Sequence, residues 1–300
     1  MNVRHFLNLS DLSADEVREL LARGAALGRM YRDGERHASR PGRVLAMIFE
    51  KASTRTRISF EAGMAHLGGH AIFLSPRDTQ LGRGEPIEDT ARVVSSMADA
   101  VMIRANEHAT VERFAAVATV PVINALTDRS HPCQLLADLQ TFTELRGDIA
   151  GRTVAWIGDG NNMCHTWIEA AALLGFNLRI ATPPDYAPEA EVVRAGGDWT
   201  RVFTDPEVAV AGAELVTTDV WASMGQEAEQ ETRLDAFTGF QVDAGLMTKA
   251  APNALFMHCL PAHRGEEVAA EVLDGPQSVV WREAENRLHV QKALLEHLIE

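Results

Sequence analysis

Short apolar runs alternate with amphipathic stretches along nearly the whole chain. The β-rich runs predict strands at residues 44–49, 71–74, 101–103 and 120–123 in the first half, and at 153–157, 178–181, 201–203, 215–218 and 255–258 in the second. One amphipathic stretch, 58–67, predicts a helix that ends at Gly68 and Gly69. Such alternation is typical of parallel sheets covered by helices, so we expect an α/β fold with two doubly wound parallel-sheet domains.

Two further helices define the predicted domain organisation. A helix over 132–146 has Pro132 in its first turn and Gly147 just past its end, and we expect it to join the domains. The last helix, over 283–299, carries an apolar side formed by Leu288, Leu294, Leu295 and Leu298. We place the first domain at 1–145, with the C-terminal helix (284–300) packing back on it, and the second at 146–283.

Composition narrows the class of protein. The chain has 28 Lys plus Arg against 42 Asp plus Glu and lacks a long apolar run, so we expect a cytoplasmic protein without nucleic-acid or membrane partners. Residues 1–150 hold 18 basic and 19 acidic side chains (−1), whereas residues 151–300 hold 10 and 23 (−13). We therefore expect anions to bind in the first half. The three cysteines lack metal-ligand spacing, so reduced thiols and no metal site are expected.

A loop rich in hydroxyl groups and arginines follows the first strand. Its sequence, Ser53-Thr54-Arg55-Thr56-Arg57, opens directly into a helix. Unpaired N–H groups and the positive end of the helix dipole favour an anion there, and guanidinium groups bind phosphate through charge-assisted hydrogen bonds. A Walker loop would need glycines and a lysine before the serine. The pattern favours a phosphate site over a simple N-cap with solvated arginines.

Other polar groups are predicted at the same sheet edge. Arg104 ends the third strand, and His131 opens the helix over 132–146, with Gln134 one turn further on. Ligands of open α/β sheets collect at the carboxyl ends of strands, so these groups are expected to face a common site. They can donate hydrogen bonds to a phosphorylated carbonyl compound but provide no nucleophile.

The second half offers groups suited to an amino acid. Gly158-Asp159-Gly160 follows a strand like the start of a dinucleotide fingerprint, but Met163 stands where a third glycine is required. Asn161 and Asn162 at the next helix start suit a carboxylate, and Asp219 with Ser223 could hold an ammonium and a carboxylate. Cys259 follows the last strand, and we expect a binding or orienting thiol rather than a nucleophile.

Three motifs carry a family resemblance that covers essentially the whole chain. They are Ser53-Thr54-Arg55-Thr56-Arg57, His131-Pro132-Cys133-Gln134 and His258-Cys259-Leu260-Pro261. In this order and approximate spacing they resemble the aspartate/ornithine carbamoyltransferase family. The more discriminating segment, Asp219-x-x-x-Ser223-Met224-Gly225, resembles the ornithine-binding loop of that family.

The resemblance implies transfer of the carbamoyl group of carbamoyl phosphate to the δ-amine of L-ornithine, giving L-citrulline and phosphate without a cofactor. It implies catalytic roles for Thr56, Arg104, His131 and Cys259. Carbamoyl phosphate binding would use Ser53, Thr54, Arg55, Thr56, Gln80, Arg104, His131, Gln134, Cys259, Leu260 and Arg287. Ornithine binding would use Asn162, Asp219, Ser223 and Met224. The family forms trimers in which a loop reaches a neighbour's site, so a homotrimer or a multiple of trimers is expected, with Gln80 on that loop.

Three alternatives stay open on the sequence. A carbamoyltransferase could act on putrescine or an N-acylated ornithine instead. An NAD-dependent oxidoreductase could use the loop at Gly158, and a catalytically silent homologue could sense an amino acid.

Overall fold

The computed structural model describes residues 3–76, 84–222 and 229–299. Within them lie nine strands: β1 Val44–Phe49, β2 His70–Leu74, β3 Ala100–Arg104, β4 Val122–Leu126, β5 Thr153–Ile157, β6 Asn177–Ala181, β7 Thr200–Phe203, β8 Leu215–Thr218 and β9 Leu255–His258. Every predicted strand is present, and four of them have the predicted bounds. Parallel strands covered on both faces are apolar at most positions, so they can be recognised as apolar runs in the sequence.

The helices of these residues are α1 Ala14–Arg32, α2 Thr54–His66, α3 Ile87–Ser95, α4 His108–Ala115, α5 Pro132–Arg146, α6 Asn162–Leu174, α7 Ala190–Gly196, α8 Pro206–Val210, α9 Gln230–Ala236, α10 Ala244–Met247, α11 Ala270–Leu273 and α12 Val280–Leu298. Helix α5 has the predicted bounds. Helix α2 starts four residues earlier than predicted, because Ser53 caps it. None of the helices in the described ranges has the length and apolar character that a bilayer crossing requires.

The chain divides into two compact units, one of residues 1–140 and 285–300 and the other of residues 141–284. The first contains a parallel sheet of order β2-β1-β3-β4. The C-terminal helical residues belong to this unit, as expected: Arg40 donates to the carbonyl oxygens of Glu296 and Ile299. Strand β1 lies inside this sheet. Strand β2 forms one edge beside it, and β3 and β4 follow on the other side of β1. The order reverses between β1 and β3, and ligands bind at such switch points.

The second unit contains a parallel sheet of order β7-β6-β5-β8-β9. Its switch point lies between β5 and β8. Aromatic side chains form much of its core: the Trp221 ring stacks on Phe237 with centroids 5.3 Å apart, and Phe240 packs edge-on against the same ring. The segments after β5, β8 and β9 carry the polar residues singled out in the sequence. The strand order thus places the candidate chemistry of each unit at its switch point.

Candidate active site

The start of α2 has the features of an anion site. Ser53 is the N-cap, and its hydroxyl accepts a hydrogen bond from the Thr56 amide at 3.2 Å. The first turn carries no acidic side chain. Thr54 is exposed and Arg55 half-buried, so both can reach a ligand at this helix end.

Arg57 departs from the expectation that both arginines of the loop face the anion. Its guanidinium lies 4.0 Å from the centre of the Phe73 ring and pairs with Glu61 at 3.1 Å. A helical turn separates residues three or four apart, so positions 55 and 57 point in different directions. Arg55 is therefore the arginine of this loop available to the site.

The hydroxyl of Thr56 is the point at which two buried guanidinium groups converge. Arg287 Nη2 donates to Thr56 Oγ1 at 2.7 Å, and Arg104 Nη1 approaches the same oxygen at 3.5 Å. Arg104 ends β3 and Arg287 lies on α12, 231 positions along the chain from Thr56. The fold thus assembles a cationic cluster from three distant segments of the first unit.

His131 lies beside this cluster and is almost fully buried. Burial, reinforced by the positive charges of Arg287, Arg104 and Arg55, holds the pKa of His131 well below its usual value. The imidazole is therefore neutral at physiological pH, and it can donate one hydrogen bond without adding a cation. A neutral donor among arginines suits an oxygen that gains charge during a reaction.

Two neighbours of His131 on α5 have structural partners. Gln134 is buried, and its Nε2 donates to Asp138 at 2.8 Å. The Cys133 thiol donates to the Asn124 carbonyl at 3.3 Å, and burial raises the pKa of this thiol to about 12. A thiol with such a pKa stays protonated, so Cys133 is not a nucleophile.

In the second unit, the carboxylate of Asp219 lies at the end of β8 and accepts three hydrogen bonds. Its Oδ1 accepts from the Val220 amide at 2.8 Å and from the Cys259 thiol at 3.1 Å, and its Oδ2 accepts from Asn161 Nδ2 at 2.9 Å. Strand β9 pairs with β8 with Thr218 opposite His258, which brings the residues after both strands together. Asp219 is thereby held in one orientation.

The thiol of Cys259 has no basic partner in His258. Nδ1 of His258 accepts from the Leu260 amide at 2.9 Å, and Nε2 contacts the buried carboxylate of Glu267 at 3.0 Å. A ring nitrogen that accepts carries no proton, so the proton is on Nε2 and is donated to Glu267. Leu260 adopts a left-handed backbone, with φ of 56°. The segment supports a thiol that orients rather than attacks.

At two places in this unit, side chains of the types that bind metal ions lie close together. Ligand atoms of Asp219, His258 and Cys259 lie within 4.8 Å of one another, as do those of His263, Glu266 and Glu267. Both ring nitrogens of His258 already take part in hydrogen bonds. A metal in the first group would have to displace one of them.

The structure assigns specific partners to Asn161, which was singled out in the sequence, and to Arg233, which was not. Asn161, rather than Asn162, contacts the Asp219 carboxylate; Asn161 is also the N-cap of α6, and its Oδ1 accepts from the Met163 and Cys164 amides. Asn162, the first residue of α6, is half-buried. Sequence reasoning missed Arg233, whose guanidinium donates to Asp159 at 2.9 Å and to the Trp221 carbonyl at 2.7 Å. No local signal marks Arg233, because these two partners lie 74 and 12 positions away in the chain.

The Asp159 carboxyl group illustrates how buried this region is. Burial raises the pKa of Asp159 to about 6, although the Arg233 guanidinium partly opposes this shift. The neighbouring Gly160 packs against backbone: a Cβ there would lie 2.2 Å from the nitrogen of Pro188. In a dinucleotide fingerprint the second glycine lets the backbone approach the pyrophosphate. Here another chain segment occupies that space, which weighs against the oxidoreductase alternative.

Three predicted residues, Gln80, Ser223 and Met224, lie outside the described residues. In the first unit, contacts among the described residues bring together the start of α2, Arg104, His131 and Arg287, whereas Gln134 donates to Asp138 on its own helix. The predicted residues of the second unit that are described follow the ends of β5, β8 and β9.

Comparison with known proteins decides the family. Residues 4–144 match the model of the aspartate/ornithine carbamoyltransferase carbamoyl-P binding domain, and residues 150–298 match that of the Asp/Orn binding domain. The chain belongs to the aspartate/ornithine carbamoyltransferase family. It is therefore a transferase, and the family resemblance of its motifs is confirmed.

Relatives of this carbamoyltransferase match over their whole length. An ornithine carbamoyltransferase of Halorhodospira halophila is 68% identical over 297 residues, covering 99% of both chains. An anabolic ornithine carbamoyltransferase of Pseudomonas aeruginosa is 62% identical, covering all of this chain and 98% of the relative. The solved ornithine carbamoyltransferase of Pyrococcus furiosus is 49% identical, with a TM-score of 0.95 over 99% of this chain and 97% of that one.

Proposed function

We propose that this carbamoyltransferase transfers the carbamoyl group of carbamoyl phosphate to the δ-amine of L-ornithine, giving L-citrulline and phosphate. The observation that carries the proposal is the division of charge: one unit holds buried guanidinium groups around Thr56, and the other holds a fixed carboxylate at Asp219. The first suits an anionic phosphate and the second suits the ammonium of an amino acid. Full-length similarity to proteins named ornithine carbamoyltransferase supports this choice of substrate.

Residues of the first unit would bind carbamoyl phosphate. Ser53, Thr54 and Arg55, at the start of α2, would hold the phosphate group through hydroxyl, amide and guanidinium donors. Arg287 and Gln134, and from the second unit Cys259 and Leu260, complete the group that we assign to this substrate. Gln80 would be contributed by a neighbouring subunit of a homotrimer.

The second unit would bind the end of ornithine that carries the α-ammonium and α-carboxylate groups. Asp219 would hold the α-ammonium group, and Asn162, Ser223 and Met224 the rest of the amino-acid end. Asn161 would act indirectly, because its amide keeps the Asp219 carboxylate in place. Putrescine has no α-carboxylate, so it would leave part of this group without a ligand.

The reaction follows from these roles. The δ-amine loses its proton, its nitrogen attacks the carbonyl carbon, and the carbonyl oxygen becomes an oxyanion. Thr56, Arg104 and neutral His131 would donate to that oxygen, which they stabilise most when it is fully charged. The bond between the carbonyl carbon and the phosphate oxygen then breaks, phosphate leaves with the bonding electrons, and the nitrogen loses a second proton. No covalent enzyme intermediate is needed.

The decisive experiment is a citrulline-forming assay in which ornithine, putrescine and N-acetylornithine are offered side by side with carbamoyl phosphate. We expect kcat/KM for ornithine to exceed that for each competitor by at least two orders of magnitude, because a site that hydrogen-bonds a missing group is left with unpaired polar atoms. Equal rates with putrescine would refute the substrate assignment. Saturable binding of NAD(H) in a calorimetric titration would favour the oxidoreductase alternative.

The assembly is a separate proposal. We expect a homotrimer or a multiple of trimers by sedimentation equilibrium. A Gln80→Ala variant that still forms trimers but loses carbamoyl phosphate affinity is the expected result, and a fully active monomer would contradict it.

A further inference from the structure

The first unit contains a cavity at the other end of α2 from the residues assigned to the phosphate. Its volume is about 560 Å³. It is lined by the end of α1, residues 34–38, the last turn of α2 and Lys292 of α12. Helix α2 spans 13 residues, or about 20 Å, so this length separates the cavity from the residues assigned to the phosphate.

Lys292 is the feature of this cavity that calls for a ligand. Its side chain is 4% exposed, yet within the described ranges its ammonium group forms neither a hydrogen bond nor an ion pair. The ammonium nitrogen lies 5.7 Å from the centre of the Tyr31 ring, and the Glu296 carboxylate, one helical turn further on, attracts it without forming an ion pair. Burial outweighs this attraction and lowers the pKa of Lys292. A counter-ion in direct contact would stabilise the charged ammonium group.

The neighbouring side chains add positive charge rather than neutralise it. Arg36 lines the same cavity and has no ion pair among the residues described. Burial, with the charges of Lys292 and Arg36, lowers the pKa of His66, another lining residue. Glu35 is the acidic residue of the lining, and it is exposed.

The closest buried carboxylate already has partners. Glu296, one helical turn after Lys292, pairs with Arg23 at 2.7 Å and contacts His37 at 2.9 Å. It also accepts a hydrogen bond from Ser39. These contacts engage the Glu296 carboxylate with other side chains, and Lys292 and Arg36 against Glu35 give the cavity lining a net positive charge.

The rest of the lining is suited to an apolar body. The Tyr31 and His66 rings stack with centroids 5.2 Å apart, and aliphatic side chains of α1 and α2, Leu27, Met30 and Leu67, lie beside them. Tyr31 is 48% exposed, which is high for a large aromatic side chain. Ligand sites commonly combine an apolar lining with a few convergent polar groups.

We propose that this cavity binds a small organic anion that carries a carboxylate on an apolar ring, with Lys292 and Arg36 holding the carboxylate and Tyr31 and His66 contacting the ring. The ligand would supply the counter-charge that Lys292 lacks. The site is separate from the residues assigned to carbamoyl transfer and does not depend on the proposed reaction.

The test uses the full-length protein and benzoate as the probe, with benzyl alcohol as the uncharged analogue. Saturation-transfer NMR and calorimetry should show saturable benzoate binding and at least tenfold weaker binding of benzyl alcohol. The variant Lys292→Met should weaken benzoate binding at least tenfold, and Arg36→Gln several-fold. Lys249→Met is the matched control, because Lys249 is 51% exposed and pairs with Glu207 in the other unit; its benzoate affinity should not change.

Two outcomes would overturn the proposal. Unchanged benzoate affinity in folded Lys292→Met or in Arg36→Gln would place the carboxylate elsewhere. Displacement of benzoate by saturating carbamoyl phosphate would place it at the start of α2. Without ligand, Lys292→Met should also melt at a higher temperature than the parent protein, because the variant no longer buries an unpaired ammonium group.

Discussion

At the scale of single residues, two arginines of one helical turn provide a direct test of the phosphate site. Arg55 faces the cluster around Thr56, whereas Arg57 lies against Phe73 and Glu61. Losing one charge-assisted hydrogen bond costs about 1.5–3 kcal/mol. We therefore expect Arg55→Ala to lower kcat/KM for carbamoyl phosphate by about ten- to a hundredfold, and Arg57→Ala to leave it unchanged. Steady-state kinetics check both, and equal losses in the two variants would show that the loop acts only through helix stability.

A second prediction at this scale concerns Asp219. Asparagine has nearly the same shape but no charge, so Asp219→Asn should raise KM for ornithine about tenfold or more and leave KM for carbamoyl phosphate within about twofold. The control is Asp198→Asn, because Asp198 is an exposed carboxylate of the same unit. Steady-state titration of each substrate measures the effect. A loss confined to carbamoyl phosphate would reverse the roles assigned to the two units.

At the scale of elements, the two serine N-caps of the first unit differ in what lies next to them. Ser13 and Glu16 form a capping box at the start of α1, while Ser53 caps α2 beside the arginine cluster. Replacing either serine by alanine should cost about 1 kcal/mol of stability. We expect Ser53→Ala also to weaken carbamoyl phosphate binding, and Ser13→Ala to leave it unchanged. Urea unfolding and kinetics on both variants separate the cap from the ligand contact.

The strands and helices show how much the sequence predicts at this scale. Runs such as residues 44–49 and 153–157 were predicted with the bounds they have, because a strand buried on both faces has few polar positions. The strand predicted at 120–123 lies at Val122–Leu126, so the prediction begins two residues and ends three residues too early. Its register is set by pairing with β3 and by Phe6, which bridges Ile123 from the N-terminal segment. Pairing between distant segments leaves no local signal.

At the scale of the whole molecule, acid should destabilise the two units unequally. Six histidines have lowered pKa values, chiefly because of burial, and all belong to the first unit: His5, His66, His108, His131, His289 and His297. Below pH 6.5 these histidines bind more protons in the unfolded chain than in the folded protein. The free energy of unfolding therefore falls as the pH falls. His131, which is buried among three arginines, contributes to this loss in the same direction. Asp159, in the second unit, has a raised pKa and acts in the opposite direction.

The five tryptophans make this prediction measurable, because all of them, residues 156–281, lie in the second unit. Between pH 7.5 and 5.5 the urea midpoint from circular dichroism, which reports both units, should fall more than that from tryptophan fluorescence. The variant His131→Asn should reduce the difference, and His70→Asn, at an exposed position, should not. Identical midpoints by both probes at pH 5.5 would contradict a weaker first unit.

The amino-acid sequence by itself determined the α/β class, the nine strands, and the motifs at Ser53, His131 and Asp219 that resemble the family. These features depend on local patterns of burial and on residues within a few positions of one another. Only the tertiary structure decided that Arg57 turns away from the cluster, that Arg233 holds Asp159, and that Lys292 is buried without an ion pair among the described residues. Each of these depends on a partner, or on the lack of one, that is set by segments far apart in the chain, and a linear pattern does not record which distant side chains meet.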